Sequence, residues 1–379
     1  MADRASKLQL TDSNELTINP STEDKQDDII ANQTNKTQMT HITDGTEEVN
    51  VTTNNELNTL DSNIMLEISN DNVPGKGHVH KFWRNPDIDT ASWFEAVWNG
   101  WWDYTGQDPV VAETLETFSS AAADAGTLLS SGTATGGSAT TLIDTWATFS
   151  TDTVAIWDVL INDTLVDHWI ITGVTETTLT VERMRDGSTN VSGNAYRVAT
   201  QASTWTPVVK LVKMLDSTWA EASEYIILNW VTWVDTIWTY IRHNRARCTW
   251  GTNIWSITTR QKTTTANITM VLPIGYNSTM IAAYTVPAGK SAQITDWFAT
   301  LSKKQAWFSN VRLMFRSVND VFQVQEELTI STSWSSHVLR TYTVPKNSIV
   351  EKTDIKIMSD TSIDNMWVAA WFDLILKDN

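Results

Sequence analysis
The chain has 379 residues, a single Cys and a net charge of −17. That length admits two or three domains, and the lone Cys248 excludes an intramolecular disulfide framework. The acidic balance excludes nucleic acid as a direct partner, because like charges repel at long range. No apolar run approaches the roughly 18 residues of a membrane span, and MADRASKLQL lacks the apolar centre of a signal peptide.

The charge is uneven along the chain. Residues 1–75 hold 14 acidic and four basic side chains, a net of −10, which leaves −7 for the remaining 304 residues. STEDKQDDIIANQTNKTQ buries too little apolar surface to offset its chain entropy. Residues 1–74 therefore read as a flexible acidic arm, with a weak alternating run at 63–69 (NIMLEIS). Residues 75–129 read as an N-terminal attachment segment. Helix is expected in only two places, 91–98 and 111–124 (VAETLETFSSAAAD). SSGTATGGSATT (130–141) reads as a low-complexity loop and a boundary. It opens a small β-rich insert over 130–200, where TVAIWDVLIN and HWIITGVTETTLTVERM place β-branched residues at spacing two.

A β-rich middle region follows over 201–265. PVVKLVKMLDSTWAEASEYIILNW gives two strands around a polar connection, and TIWTYIRHNRARCTW gives one strand with basic residues on an edge. Such residues discourage stray strand pairing, and this reading is preferred to phosphate binding. From 266 to 379 about eight short alternating segments predict a C-terminal β-sandwich of jelly-roll type. Asn319-Asp320 is expected to close a two-residue hairpin, and Pro287-Ala288-Gly289 and Pro345-Lys346-Asn347 to break segments at turns. The expected fold class is thus mainly β.

Tryptophan and glycine are out of balance. There are 20 Trp but only 15 Gly, about 4% against a typical 7%. Many Trp stand where a turn is expected, as in NGWWDYTG, Asn-Ile-Trp255-Ser, Cys-Thr-Trp250-Gly, Ala-Ile-Trp157-Asp and Thr-Ser-Trp334-Ser. Turns favour glycine, which alone reaches positive φ without a Cβ clash. UGA is read as Trp in some systems and as Gly in others, so a recoded gene would produce this pattern. Keeping Trp98, Trp219 and Trp297 and reading the other 17 as glycine brings Gly from 15 to 32, an ordinary share. The competing explanation is a carbohydrate binder that uses indoles as stacking platforms.

No catalytic, cofactor or metal site emerges. His78 and His80 could point the same way from a strand, but no third ligand stands nearby in sequence. Cys248 has no local His partner and reads as a buried apolar side chain. The carboxylates of DIDT (87–90) and EKTD (351–354) could be imagined as an acid–base pair, as any acidic β-protein allows. Lys290 in PAGKS sits at a turn rather than between a strand and a phosphate-binding helix. An enzyme is not expected.

KFWRNPDIDTASWFEAVWNGWWDYTG (81–106) resembles the opening of a virion structural protein family of marine tailed phages, in which KFGRNxDIDT precedes an IWDGGG-like stretch. The matching positions are Trp83, Val97, Trp98, Asn99, Gly100, Trp101 and Trp102. Trp98 falls on a family Trp, and Trp83, Trp101 and Trp102 fall on family glycines. LDSTWAEASEYIILNWVT (215–232) is similar to an LDxxWxExxExxxLNGxT pattern, with Trp219 on Trp and Trp230 on Gly. YTVPAGKSA, VFQV, KTDIKI and the terminal WVAAWFDLILKDN continue the likeness, which covers 80–127 and 205–379 and omits the arm and the insert. At 319–320 the chain has Asn-Asp where the family has Gly. The resemblance implies a non-enzymatic virion component without a cofactor, on the capsid surface, neck or tail. It would be a homo-oligomer, a trimer being one such assembly, with other virion proteins as partners. A carbohydrate- or receptor-binding module of a fibre or spike, contacting a host surface glycan, is the alternative.

Overall fold
A computed structural model describes residues 73–89, 94–98, 104–182, 189–200, 208–229, 232–249, 252–302, 308–331 and 337–379, with a few short strands nearer the N-terminus. The chain divides into two units, Met1–Asn72 and Val73–Asn379. In the first, β1 (Leu10–Thr11) pairs with β2 (Thr17–Ile18), and β3 (Ile42–Thr43) with β4 (Glu48–Val49). The other residues of the arm, including the run at 63–69, lie outside the described residues.

The second unit is nearly all β, as expected. It begins with β5 (Lys76–Ile88), β6 (Glu95–Ala96) and β7 (Glu113–Ser119). Both segments expected to be helical differ where they are described. Residues 95–96 pair with a strand, 91–93 lie outside the described residues, and 113–119 form an inner strand; among the described residues only Ala122–Asp124 makes a 3-10 turn. Val111, Leu115 and Phe118 mimic a helical stripe, but partner strands on both sides of β7 override that local preference.

The insert is one antiparallel sheet of β8 (Leu128–Thr133), β9 (Gly136–Gly137), β10 (Thr141–Ile143), β11 (Val159–Asn162), β12 (Asp167–Val174), β13 (Thr178–Val181) and β14 (Ala195–Ala199). Their order is β8-β14-β11-β12-β13-β10-β9. Leu142, Phe149, Leu160, Trp169, Ile171, Leu179, Tyr196 and Val198 give it a core of its own. The stretch 130–141, expected as a loop, supplies β8 and β9. Its small hydroxyl-bearing residues pair with β14 and β10 through backbone hydrogen bonds, which need no apolar side chains.

Next come β15 (Val208–Leu215), β16 (Glu221–Ile227), β17 (Val234–Tyr240), β18 (Arg242–Cys248), β19 (Ile257–Gln261) and β20 (Ile268–Leu272). A three-stranded sheet, β16-β15-β18, and a four-stranded one, β17-β7-β19-β20, share a core that includes Trp98, Leu115, Leu211, Met214, Tyr240, Ile257 and Leu272. The segment 236–250, expected as one strand, is two strands in different sheets. The chain changes sheet at Ile241, and β18, at a sheet edge, leaves Arg245 and Arg247 exposed.

The C-terminal strands are β21 (Ala283–Thr285), β22 (Lys290–Ser302), β23 (Phe308–Arg316), β24 (Gln323–Ser331), β25 (His337–Ile349), β26 (Asp354–Thr361) and β27 (Met366–Asp378). They form a β-sandwich. One sheet runs β21-β26-β23-β24 with β6 against β26, and the other runs β25-β22-β27-β5. Ile294, Trp297, Phe372 and Leu374 from the second sheet meet Val311, Leu313, Ile355 and Ile357 from the first. The Trp297 indole N–H donates to Glu326 at 3.1 Å, so the largest ring of this core is also satisfied.

Two turns differ from expectation. The β23–β24 connection spans 317–322 rather than two residues, with Asn319 at φ 63°, a left-handed conformation that Asn tolerates. Strand β25 runs on through Pro345. It is an edge strand, and its register against β22 shifts there, which accommodates a residue with no N–H to donate.

The steric account of tryptophan holds at few positions. Of the twelve described Trp, only Trp157 (φ 78°) and Trp219 (φ 68°) have left-handed backbone. Trp219 is one of the three positions expected to be genuine Trp, and the Arg242 guanidinium lies 4.9 Å from its ring centre. Trp83 and Trp169 are buried strand residues, and Trp146, Trp238 and Trp255 are exposed on ordinary backbone. Trp101, Trp102, Trp230, Trp250 and Trp334 lie outside the described residues.

Candidate functional site
The outer face of the sheet β25-β22-β27-β5 carries apolar side chains where a sandwich ordinarily shows polar ones. Strand alternation sends Trp297 and Phe372 inward, so Phe298 and Trp371 point out. Register then aligns one residue from each strand: Leu339 opposite Phe298, Phe298 opposite Trp371, and Trp371 opposite Phe82. The row crosses the whole sheet. Phe298 and Trp371 stack with ring centres 5.6 Å apart and planes 18° apart. Phe82, Leu339 and neighbouring Trp367 are 44%, 53% and 45% exposed. Rings already ordered against each other lose little entropy on meeting a partner.

Charged groups of both signs flank the row. Arg84, on β5, stands 5.0 Å from the centre of the Trp367 ring. Two residues along from the row, Asp296 faces Asp373 across β22 and β27, and His80 lies opposite Asp373. Asp373 Oδ1 contacts His80 Nδ1 at 2.6 Å and His78 Nε2 at 3.3 Å. Partial burial alone would raise the Asp373 carboxyl. Hydrogen bonds from His78 and His80, and their charge, outweigh burial and bring it down to about 2.

The expected pairing of His78 and His80 on one side of a strand is therefore seen, with a carboxylate between them. Among the described residues, no group of three or more His, Cys, Asp or Glu is arranged to hold a metal ion. Cys248 is half-buried rather than fully buried. Burial, then the charge of Asp124, pushes its thiol up to about 12, far from thiolate chemistry. Asp354 is held by Arg242 at 3.0 Å and Arg316 at 2.8 Å, so it is a structural counter-ion. Lys290 pairs with Asp378 at 2.9 Å.

Phe82, Phe298, Leu339, Trp367 and Trp371 were not singled out from the sequence. A signal was present: ITDWFATL and MWVAAWFDLIL are nearly continuous apolar runs, the pattern of strands covered on both faces. Compared with known proteins, the chain matches no protein-family profile, no curated protein and no solved structure. Among the described residues no helix is long and apolar enough to cross a membrane.

Proposed function
We propose that the chain is a non-enzymatic structural component of a tailed-phage virion that assembles as a homo-oligomer through the outer face of the β25-β22-β27-β5 sheet. The observation that carries the assembly is the row Leu339–Phe298–Trp371–Phe82. An apolar row that crosses all four strands of a sheet fits a protein surface. With Arg84 on one flank and Asp296 and Asp373 on another, the patch is self-complementary, as contact between identical copies requires. The particle assignment is supported by the sequence resemblance over 80–127 and 205–379. Other virion proteins are its expected partners, with neither nucleic acid contact nor membrane insertion.

The recoding of UGA as glycine is kept in this reading at two described positions only, while Trp367 and Trp371, whose rings build the outer face, are retained as Trp. Trp157 has a backbone suited to glycine. Trp83 buries an indole N–H that has no acceptor, a cost of about 1–3 kcal/mol. Peptide mass spectrometry of gradient-purified particles tests both parts. The chain should be present among the particle proteins, with glycine at 157 and 83. Absence of the chain from particles overturns the virion assignment, and Trp at both positions overturns the recoding.

A further inference from the structure
The insert, which lies outside the family resemblance, holds a cavity of about 390 Å³, a size typical of small-molecule sites. Trp146, in the turn after β10 and 88% exposed, stands among its lining residues. An indole that open to water contributes little to folding, and its backbone is unstrained.

The surrounding groups are fixed in place. The buried Asp144 carboxylate accepts the Trp146 backbone N–H at 3.0 Å through Oδ1 and the Tyr196 hydroxyl at 2.7 Å through Oδ2. Glycine is required beside them: a Cβ at Gly132 would stand 2.8 Å from both Asp144 Oδ2 and Tyr196 Oη. Asp152 accepts the Thr148 hydroxyl at 3.1 Å and also lines the cavity. Each carboxylate has room for further donors, since a carboxylate offers about four lone-pair sites.

One ring face beside two carboxylates and several hydroxyls defines the ligand chemistry. It needs an apolar C–H face on one side and a set of hydroxyl donors on the other. Two aspartates with no cation in the lining repel phosphate, sulfate and uronate. A quaternary amine is caged by several open ring faces, and here Trp146 is the one exposed ring, Tyr196 being buried. We propose that this cavity binds a neutral saccharide, with a pyranose ring lying on Trp146 and its hydroxyls donating to Asp144 and Asp152.

The test is an array of neutral, acidic and amino-bearing oligosaccharides, probed with the labelled full-length chain. Retention on neutral glycans is expected, with at least a tenfold loss in Trp146→Ala, a partial loss in Trp146→Phe and a clear loss in Asp152→Asn. Thermal unfolding of Trp146→Ala should match the parent, because the ring is exposed. The proposal is overturned by no retention on neutral glycans, by retention confined to acidic or amino-bearing ones, or by undiminished binding in Trp146→Ala. It is also overturned if the natural protein carries glycine at 146. None of these outcomes bears on whether the chain is a particle component.

Discussion

The seam between the middle pair of sheets and the C-terminal sandwich, and the outer face of that sandwich, invert the usual distribution of polarity. At the seam, buried charges cross from the middle sheets to the C-terminal sandwich. Arg242 on β18 donates through Nε and Nη2 to Asp354 on β26, each at 3.0 Å. Lys81 on β5 donates to the Asn244 carbonyl, and the Asn244 side chain is bonded to Thr285 in both directions. The outer face instead shows Phe82, Phe298, Leu339, Trp367 and Trp371. Directional bonds fix two layers of one chain in a single register, whereas non-directional apolar contact suits a surface completed by another molecule. Where a fold spends polar groups inside and apolar groups outside, the outside is the place to look for assembly.

The seam can be broken most strongly at its ion pair. Arg242→Ala leaves Asp354 buried with Arg316 as its remaining cation and should cost on the order of 3–5 kcal/mol. A fall in the denaturant midpoint with unchanged slope would show this.

Lys81 should respond in the opposite direction. Burial, with the charges of Arg245 and Lys213, lowers its amine to about 7, below an unfolded value near 10.4. Below pH 7 both states hold the proton, and the folded chain bears the full cost of the buried charge. Between pH 7 and about 10.4 the unfolded state holds a proton that the folded state has released, so stability rises with pH. Lys81→Met should therefore stabilise by roughly 1–3 kcal/mol at pH 6.5, and the gain should shrink by pH 10. Urea titrations of both proteins at the two pH values provide the check; a gain independent of pH would contradict it.

The smallest effect separates two exposed indoles. Trp157→Gly relieves a left-handed backbone and should stabilise by about 1 kcal/mol. Trp146→Gly only adds chain freedom and should cost up to about 1 kcal/mol. Equal shifts in thermal midpoint would remove the distinction.

The strands were legible in the sequence because alternation survives local noise. KTDIKIMSD and WFDLILKDN keep period two, and both are strands. Residues 113–119 misled because Leu115 and Phe118 fit a helical stripe, and only partners distant in sequence, β17 and β19, decide otherwise. The candidate face was hidden for a related reason. Phe82, Phe298, Leu339 and Trp371 are far apart in the chain, and only strand register aligns them. The insert cavity was hidden further, since SSGT reads as a loop until β14 pairs with it.

Assembly through the outer face is most directly tested by light scattering of the full-length chain as it elutes from a sizing column. The parent should have a mass that is a multiple of 42.5 kDa, and Trp371→Asp, which places a charge at the centre of the aromatic row, should elute as a folded single copy. A parent mass of 42.5 kDa, or an oligomer unchanged by Trp371→Asp, would contradict the account.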